Sequence, residues 1–188
     1  MTTPRTATPF ELGGRLLMDP KDAAGGTAWA VLEDPNGAAF GLVPVVPSDA
    51  LPNVDAAGSP GVGGAIGRVA WLDLTVRDAF RTRDDYRQVV GWSVQAVEMA
   101  EETDRYADSN LVREDGEPAA GVCHARGTNA DLPPVWHIYL PVGDLDESLR
   151  RVEAEGGTVL KVSRRADGRP LYAAVREPVG ACFALVPG

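Results

Sequence analysis

Hydrophobic and polar positions divide this chain into stretches of distinct period. Gly13 to Pro44 reads as three short strands, RLLM, TAWAVL and AAFGLVPV, separated by Pro/Gly turns. From Arg68 the run RVAWLDLTV alternates as a strand does, and Asp78 then opens a helix that Gly91 closes. QAVEMAEE, YADSNLVRED and AAGVCHA follow as three more strands. The sequence then repeats this order: VWHIYLPV is a strand, Asp144 with Glu147 forms a capping box, and Gly156 ends the helix. Leu145, Leu149 and Val152 share one face of that helix, so it covers a sheet. TVLKVS, LYAAVRE and ACFALVP complete the second set. Residues 68–130 and 131–187 are therefore two β-α-β-β-β modules, and the fold class is α+β.

Gly13 to Pro44 also aligns without a gap onto Gly156 to Pro187, with DPNGAAFGLVP meeting EPVGACFALVP. Gly37 and Gly180 supply the positive φ of a tight turn, and Pro35 and Pro178 preset its first dihedral. Residues 13–44 thus read as an extra β-β-β half-module. Such a sheet exposes an apolar face and open edges, so it is expected either to pack against the module pair or to exchange with a second subunit, giving a homodimer. Residues 1–12 are polar and Pro/Thr-rich and are expected to fray, and 45–67 is a Pro/Gly/Ala-rich linker.

Composition narrows the partners. The chain has 188 residues, 44% of them hydrophobic, and a formal charge of −9, which disfavours a phosphate-backbone partner and argues against nucleic acid. Cys123 and Cys182 have no framework spacing, and no run approaches a membrane span of about 20 apolar residues. A cytoplasmic protein with no membrane partner is expected.

Candidate chemistry concentrates on the first strand of each module and on the junction between them. By alternation Trp71, Asp73 and Thr75 share one face, and His137 and Tyr139 another. A buried Asp73 beside His137 would orient the imidazole and make His137 a general base. His124, Arg126 and Asn129 add a cation and an amide able to grip a carboxylate or carbonyl, and Tyr106 with Asp108 and Asn110 would complete a pocket wall. Alternation lets only one of Cys123 and His124 face the pocket and leaves open which. Together these groups suit a small-molecule ligand.

The residues WLDLTVRDA with YRQVVGW, YADSN, AGVCHARGTNADLPPVW, VGDLDESL with EGG, and REPVGACFAL give the chain a resemblance to the vicinal oxygen chelate superfamily, which includes glyoxalase I, bleomycin-resistance proteins and extradiol dioxygenases. The resemblance implies that the paired modules form a cup-shaped open barrel, with metal ligands on the first and last strands of each module. His137 matches the first-strand ligand of the second module. Trp71 stands at its counterpart, Ala184 at the last-strand position of the second module, and Cys123 or His124 at that of the first. No complete metal site and no other cofactor is therefore expected. Two functions are implied: binding of an amphipathic or aromatic molecule in the cup, as in the bleomycin-resistance kind, or a glyoxalase-like lyase or isomerase using His137 as base, with a divalent metal as its variant.

Overall fold

The computed structural model describes residues 11–45, 47, 66–100 and 104–188. The fraying expected over 1–12 and the linker expected over 45–67 fall almost wholly outside these. Three short strands come first, β1 (Arg15–Met18), β2 (Ala30–Glu33) and β3 (Ala39–Leu42), paired antiparallel into a separate sheet. The first module follows as β4 (Trp71–Val76), α1 (Ala79–Val90), β5 (Ser93–Ala100), β6 (Arg105–Val112) and β7 (Pro118–His124). The second is β8 (Trp136–Val142), α2 (Leu145–Ala154), β9 (Thr158–Arg164), β10 (Pro170–Arg176) and β11 (Cys182–Pro187).

The eight strands of the two modules form one sheet in the order β5-β6-β7-β4-β8-β11-β10-β9. The seam is the antiparallel pair β4 and β8, where Trp71 lies opposite Tyr139 and Asp73 opposite His137. Each first strand also pairs in parallel with the last strand of its own module, Thr75 beside Cys123 and Tyr139 beside Ala184.

Local chemistry sets the helix limits. The Asp78 carboxylate accepts from the Arg81 amide, and Gly91 ends α1 at φ 83°, a left-handed conformation that costs a glycine little. Asp144 caps α2 by accepting from the Glu147 amide. The reciprocal half of the capping box is absent among the described contacts, because Glu147 pairs with Arg150 one turn on. Both helices lie on the same face of the sheet. Leu74, Val76, Leu111 and Val122 pack with Ala79 and Tyr86 of α1, while Ala173, Val175 and Leu185 pack with Leu145 and Leu149 of α2. Burial of each of the Leu and Val side chains stabilises by about 1.5–3 kcal/mol.

The N-terminal sheet docks on α1. Ala38 is fully buried in the α1 cluster and Phe40 packs edge-on to Tyr86 at 5.1 Å. Asn36 donates to the Thr82 hydroxyl at 3.0 Å, and the Trp136 indole donates to the Tyr86 hydroxyl, which in turn donates to Asp34. Packing against the module pair is thus the arrangement seen. The turns at 34–38 and 177–181 are held alike: Gly37 and Gly180 both take positive φ, and the Asp34 and Glu177 carboxylates each accept two amides of their own turn.

Candidate functional site

Alternation along the strands leaves the second face of the large sheet without a helix, and Trp71, Asp73, Tyr139 and Tyr172 lie there. Tyr139, Ala184 and Val186 form its buried floor, bordered by Trp71 and Tyr172. At the module seam the Trp71 indole donates to an Asp73 carboxylate oxygen at 2.7 Å. Tyr139, opposite Trp71 across the seam, and Cys123, two residues on from Gly121, lie on the same face as Asp73. Packing removes water from this carboxyl and raises its pKa to about 6, with the neighbouring Asp108 charge adding to the rise and the Trp71 bond opposing it. Burial likewise pushes up the Tyr139 hydroxyl, with Asp73 adding to it, and the Cys123 thiol, so neither is ionised at neutral pH. The space for the Asp73 side chain exists because Gly121 is its register neighbour: a Cβ on Gly121 would sit 2.0 Å from the carboxylate.

On the second module this face continues through Tyr172, whose ring centroid lies 5.4 Å from that of Tyr139, and through Lys161. The Lys161 ammonium donates to the Tyr172 hydroxyl at 2.7 Å and to the side-chain oxygen of Asn129. Asn129 comes from the turn 127–129 that joins the modules, so the junction is tied to the face of the second. Burial lowers the Lys161 pKa, and Tyr172 rises to about 12 for the same reason.

A second group lies at the β6 and β7 end. The Asp108 carboxylate, almost wholly buried, accepts from the His124 amide at 2.9 Å and pairs with His124 Nδ1 at 3.0 Å. The His124 ring stands edge-on to Phe80 at 4.8 Å and to Tyr106 at 5.8 Å. Arg126 stacks on Tyr106 at 4.2 Å and reaches Asp104 at 2.7 Å.

The expected residues therefore fall into three places. Trp71, Asp73 and Tyr139 meet at the seam; Tyr106, His124 and Arg126 gather at the far strands; Asn129 joins Lys161 and Tyr172. By strand register Cys123 shares the face of Asp73, while the His124 ring turns to Asp108 and Phe80. The expected Asp73–His137 partnership does not form. The two are register neighbours, yet Asp73 turns to Trp71 within its own strand, and His137 Nδ1 meets the Val135 carbonyl at 3.0 Å. His137 is 2% exposed, its Nε2 has no partner, and desolvation lowers its pKa. Lys161 was missed. Its signal was a lone cation within the apolar run TVLKVS, two positions before Ser163, the register partner of Tyr172.

The residues do not fit the metal site of the resemblance. Of the ligand positions, His137 has a free ring nitrogen, but Trp71 has no lone pair to give, Ala184 is a buried methyl, and Cys123 holds its proton. Among the described residues no three His, Cys, Asp or Glu side chains gather as a chelating set. No helix among them is long and apolar enough to cross a membrane.

Among known proteins, the anthracycline biosynthesis protein DauV of Streptomyces sp. (strain C5) is 29% identical over 93% of this chain and 58% of its own. The anthracycline biosynthesis protein DnrV of Streptomyces peucetius is 29% identical over 64% of this chain and 47% of its own. This chain thus spans about half the length of the curated relatives it matches. Methylmalonyl-CoA epimerase from Mycobacterium tuberculosis superposes on 64% of this chain and 89% of its own, at 17% identity and a TM-score of 0.39. The Glyoxalase/Bleomycin resistance protein/Dioxygenase superfamily model matches residues 66–185, the two modules together, and this chain belongs to that family.

Proposed function

We propose that this chain binds a small amphipathic or aromatic molecule on the helix-free face at the module seam, without a complete metal site. The observation that carries the reading is the Asp73 cluster. A desolvated carboxyl is held by the Trp71 indole on a face floored by aromatic and small apolar side chains, Tyr139 among them. Aromatic rings supply area for stacking a planar molecule, and one polar group at their centre fixes its orientation. With a pKa of about 6, Asp73 is mostly ionised at neutral pH and suited to accepting from a ligand hydroxyl, while its protonated form can donate to a carbonyl. Relatives named for anthracycline biosynthesis support a planar, oxygenated ligand class.

Titration with a panel of planar aromatics tests this, read by quenching of indole fluorescence. Binding is expected to weaken about tenfold in Asp73→Leu, which removes a hydrogen-bonding group and leaves the Trp71 indole without its acceptor. Equal affinity in wild type and Asp73→Leu would overturn the reading.

A second reading, proton transfer next to a carbonyl in a lyase or isomerase, is favoured by one feature: a carboxyl with pKa about 6 is matched to a general base near neutral pH. His137, the base implied by the resemblance, is neutral with a free Nε2, but it lies 2% exposed beneath the face. Solvent-deuterium incorporation next to the carbonyl of a bound ketone, lost in Asp73→Asn, would support this reading. Unchanged incorporation in that variant would remove Asp73 from it.

A further inference from the structure

Among the described residues most partnered ammonium and guanidinium groups pair with a carboxylate, and the exposed Arg164 bonds the Gly168 carbonyl of its own turn; the partly buried Lys161 has no carboxylate partner. Its hydrogen-bond partners are the Tyr172 hydroxyl and the Asn129 amide oxygen, both neutral, and no carboxylate of the described residues lies within ion-pair distance. Asp73 and Cys123 act on it only through space. A partly buried cation with neutral partners is poorly compensated, and its two acceptors use two of its three donors. Those acceptors do more than satisfy it. Asn129, anchored in the junction turn, and Tyr172, stacked toward Tyr139, hold the ammonium in one position on the helix-free face. An oxygen anion placed there would supply the missing countercharge and take the third donor.

We propose that Lys161 is the specificity-determining residue of this face, taking the anionic oxygen of an aromatic ligand, a carboxylate or an ionised acidic hydroxyl, while Tyr172, Tyr139 and Trp71 take its rings. This rests on the binding reading above and narrows its ligand class to aromatic acids. Asp73, at the opposite side of Tyr139, then meets the neutral end of the molecule. The lowered proton affinity of free Lys161 is restored when the anion arrives, so binding and retention of the proton reinforce one another.

Two matched pairs of probes test it: naphthoate against its methyl ester, and hydroxynaphthoquinone against its methyl ether. Each pair has the same rings and differs in the anionic oxygen, so the arms separate a carboxylate from an ionised hydroxyl. Calorimetric dissociation constants are measured on wild type, Lys161→Met, Lys161→Gln and Lys161→Arg. At least one anion is expected to bind wild type about tenfold or more tighter than its neutral partner, the lower end for a hydrogen bond to a charged group. The preference is expected to fall to about onefold in Lys161→Met and Lys161→Gln and to survive in Lys161→Arg. Equal binding of anion and neutral partner by wild type, or a preference that persists in Lys161→Met and Lys161→Gln, overturns the assignment of Lys161 and leaves aromatic binding intact. Failure of all four probes to bind wild type overturns both readings.

Discussion

Replacing Asp73 by Asn changes one property of the seam above all, because Asn is close in shape, still accepts from the Trp71 indole, and cannot ionise. The pKa of Asp73 rises from 3.8 to about 6 on folding, chiefly by desolvation. A carboxyl whose folded pKa is raised binds its proton more tightly in the native state. Its ionisation therefore costs stability as pH climbs from the unfolded pKa through the folded one. Below about pH 4 wild type and Asp73→Asn should differ by a constant; between about pH 4 and about pH 6 wild type should lose ground; above about pH 7 the gap should level off. The rise of about two units sets an upper limit of about 3 kcal/mol on that loss. Asp73 keeps some contact with solvent, so the measured figure should fall below the limit. Urea denaturation of both proteins across this range gives the difference directly. Parallel stability curves would refute the reasoning, since they would mean that the carboxyl is as well solvated folded as unfolded. A wild type that gains on Asp73→Asn as pH rises would refute it more strongly, by showing that ionised Asp73 is stabilised by a cation.

Other perturbations read separate parts of the account. Gly121→Ala places a methyl 2.0 Å from the Asp73 carboxylate, and should displace that side chain from the Trp71 indole, lowering stability by about 1–3 kcal/mol in thermal or urea melts; a melt unchanged from wild type would contradict the packing of Asp73 over Gly121. Tyr86→Phe removes the hydroxyl between Trp136 and Asp34 and should cost about 1–3 kcal/mol, measured by urea denaturation, because a buried indole N–H loses its acceptor. His137 has its pKa lowered by desolvation, so the neutral form is the native one, and protonation must be imposed as pH falls through that value. Relative to His137→Gln, wild type should lose stability on going from about pH 7.5 to about pH 5; a constant difference over that interval would show that the ring is already solvated or paired.

Much of the architecture was legible in sequence because its signals are local. Asp78 with Gly91 and Asp144 with Gly156 bracket the two helices, and period-two alternation groups Trp71 with Asp73 and His137 with Tyr139, while the β4–β8 register that brings the two pairs onto one face is tertiary. Partner choice was less legible, since it is settled by tertiary geometry. Alternation made Asp73 and His137 neighbours, but the indole of Trp71 reaches two residues along its own strand, and the His137 ring has a nearer acceptor in the Val135 carbonyl. The His124–Asp108 pair forms at a strand end, where the backbone amide of His124 also turns to Asp108, and no spacing rule marks it. Lys161 depended on the pairing of β9 with β10, which contains register shifts on either side of it. The docking of 13–44 rested on the hydrogen bond Asn36 donates to Thr82 and the one Asp34 accepts from Tyr86, contacts between residues 46 and 52 apart.

The central claim is that the helix-free face at the seam is where a ligand binds, by way of Trp71, Asp73 and Tyr139 and with no metal taking part. Its most direct test is the indole N–H resonance of Trp71, assigned by its loss in Trp71→Phe and followed while naphthoate is added in the presence of a chelator. The account predicts a saturable shift of that resonance, larger than at Trp29, Trp92 or Trp136. Saturable binding that leaves Trp71 unmoved, or a shift that disappears when the chelator is added, would contradict it.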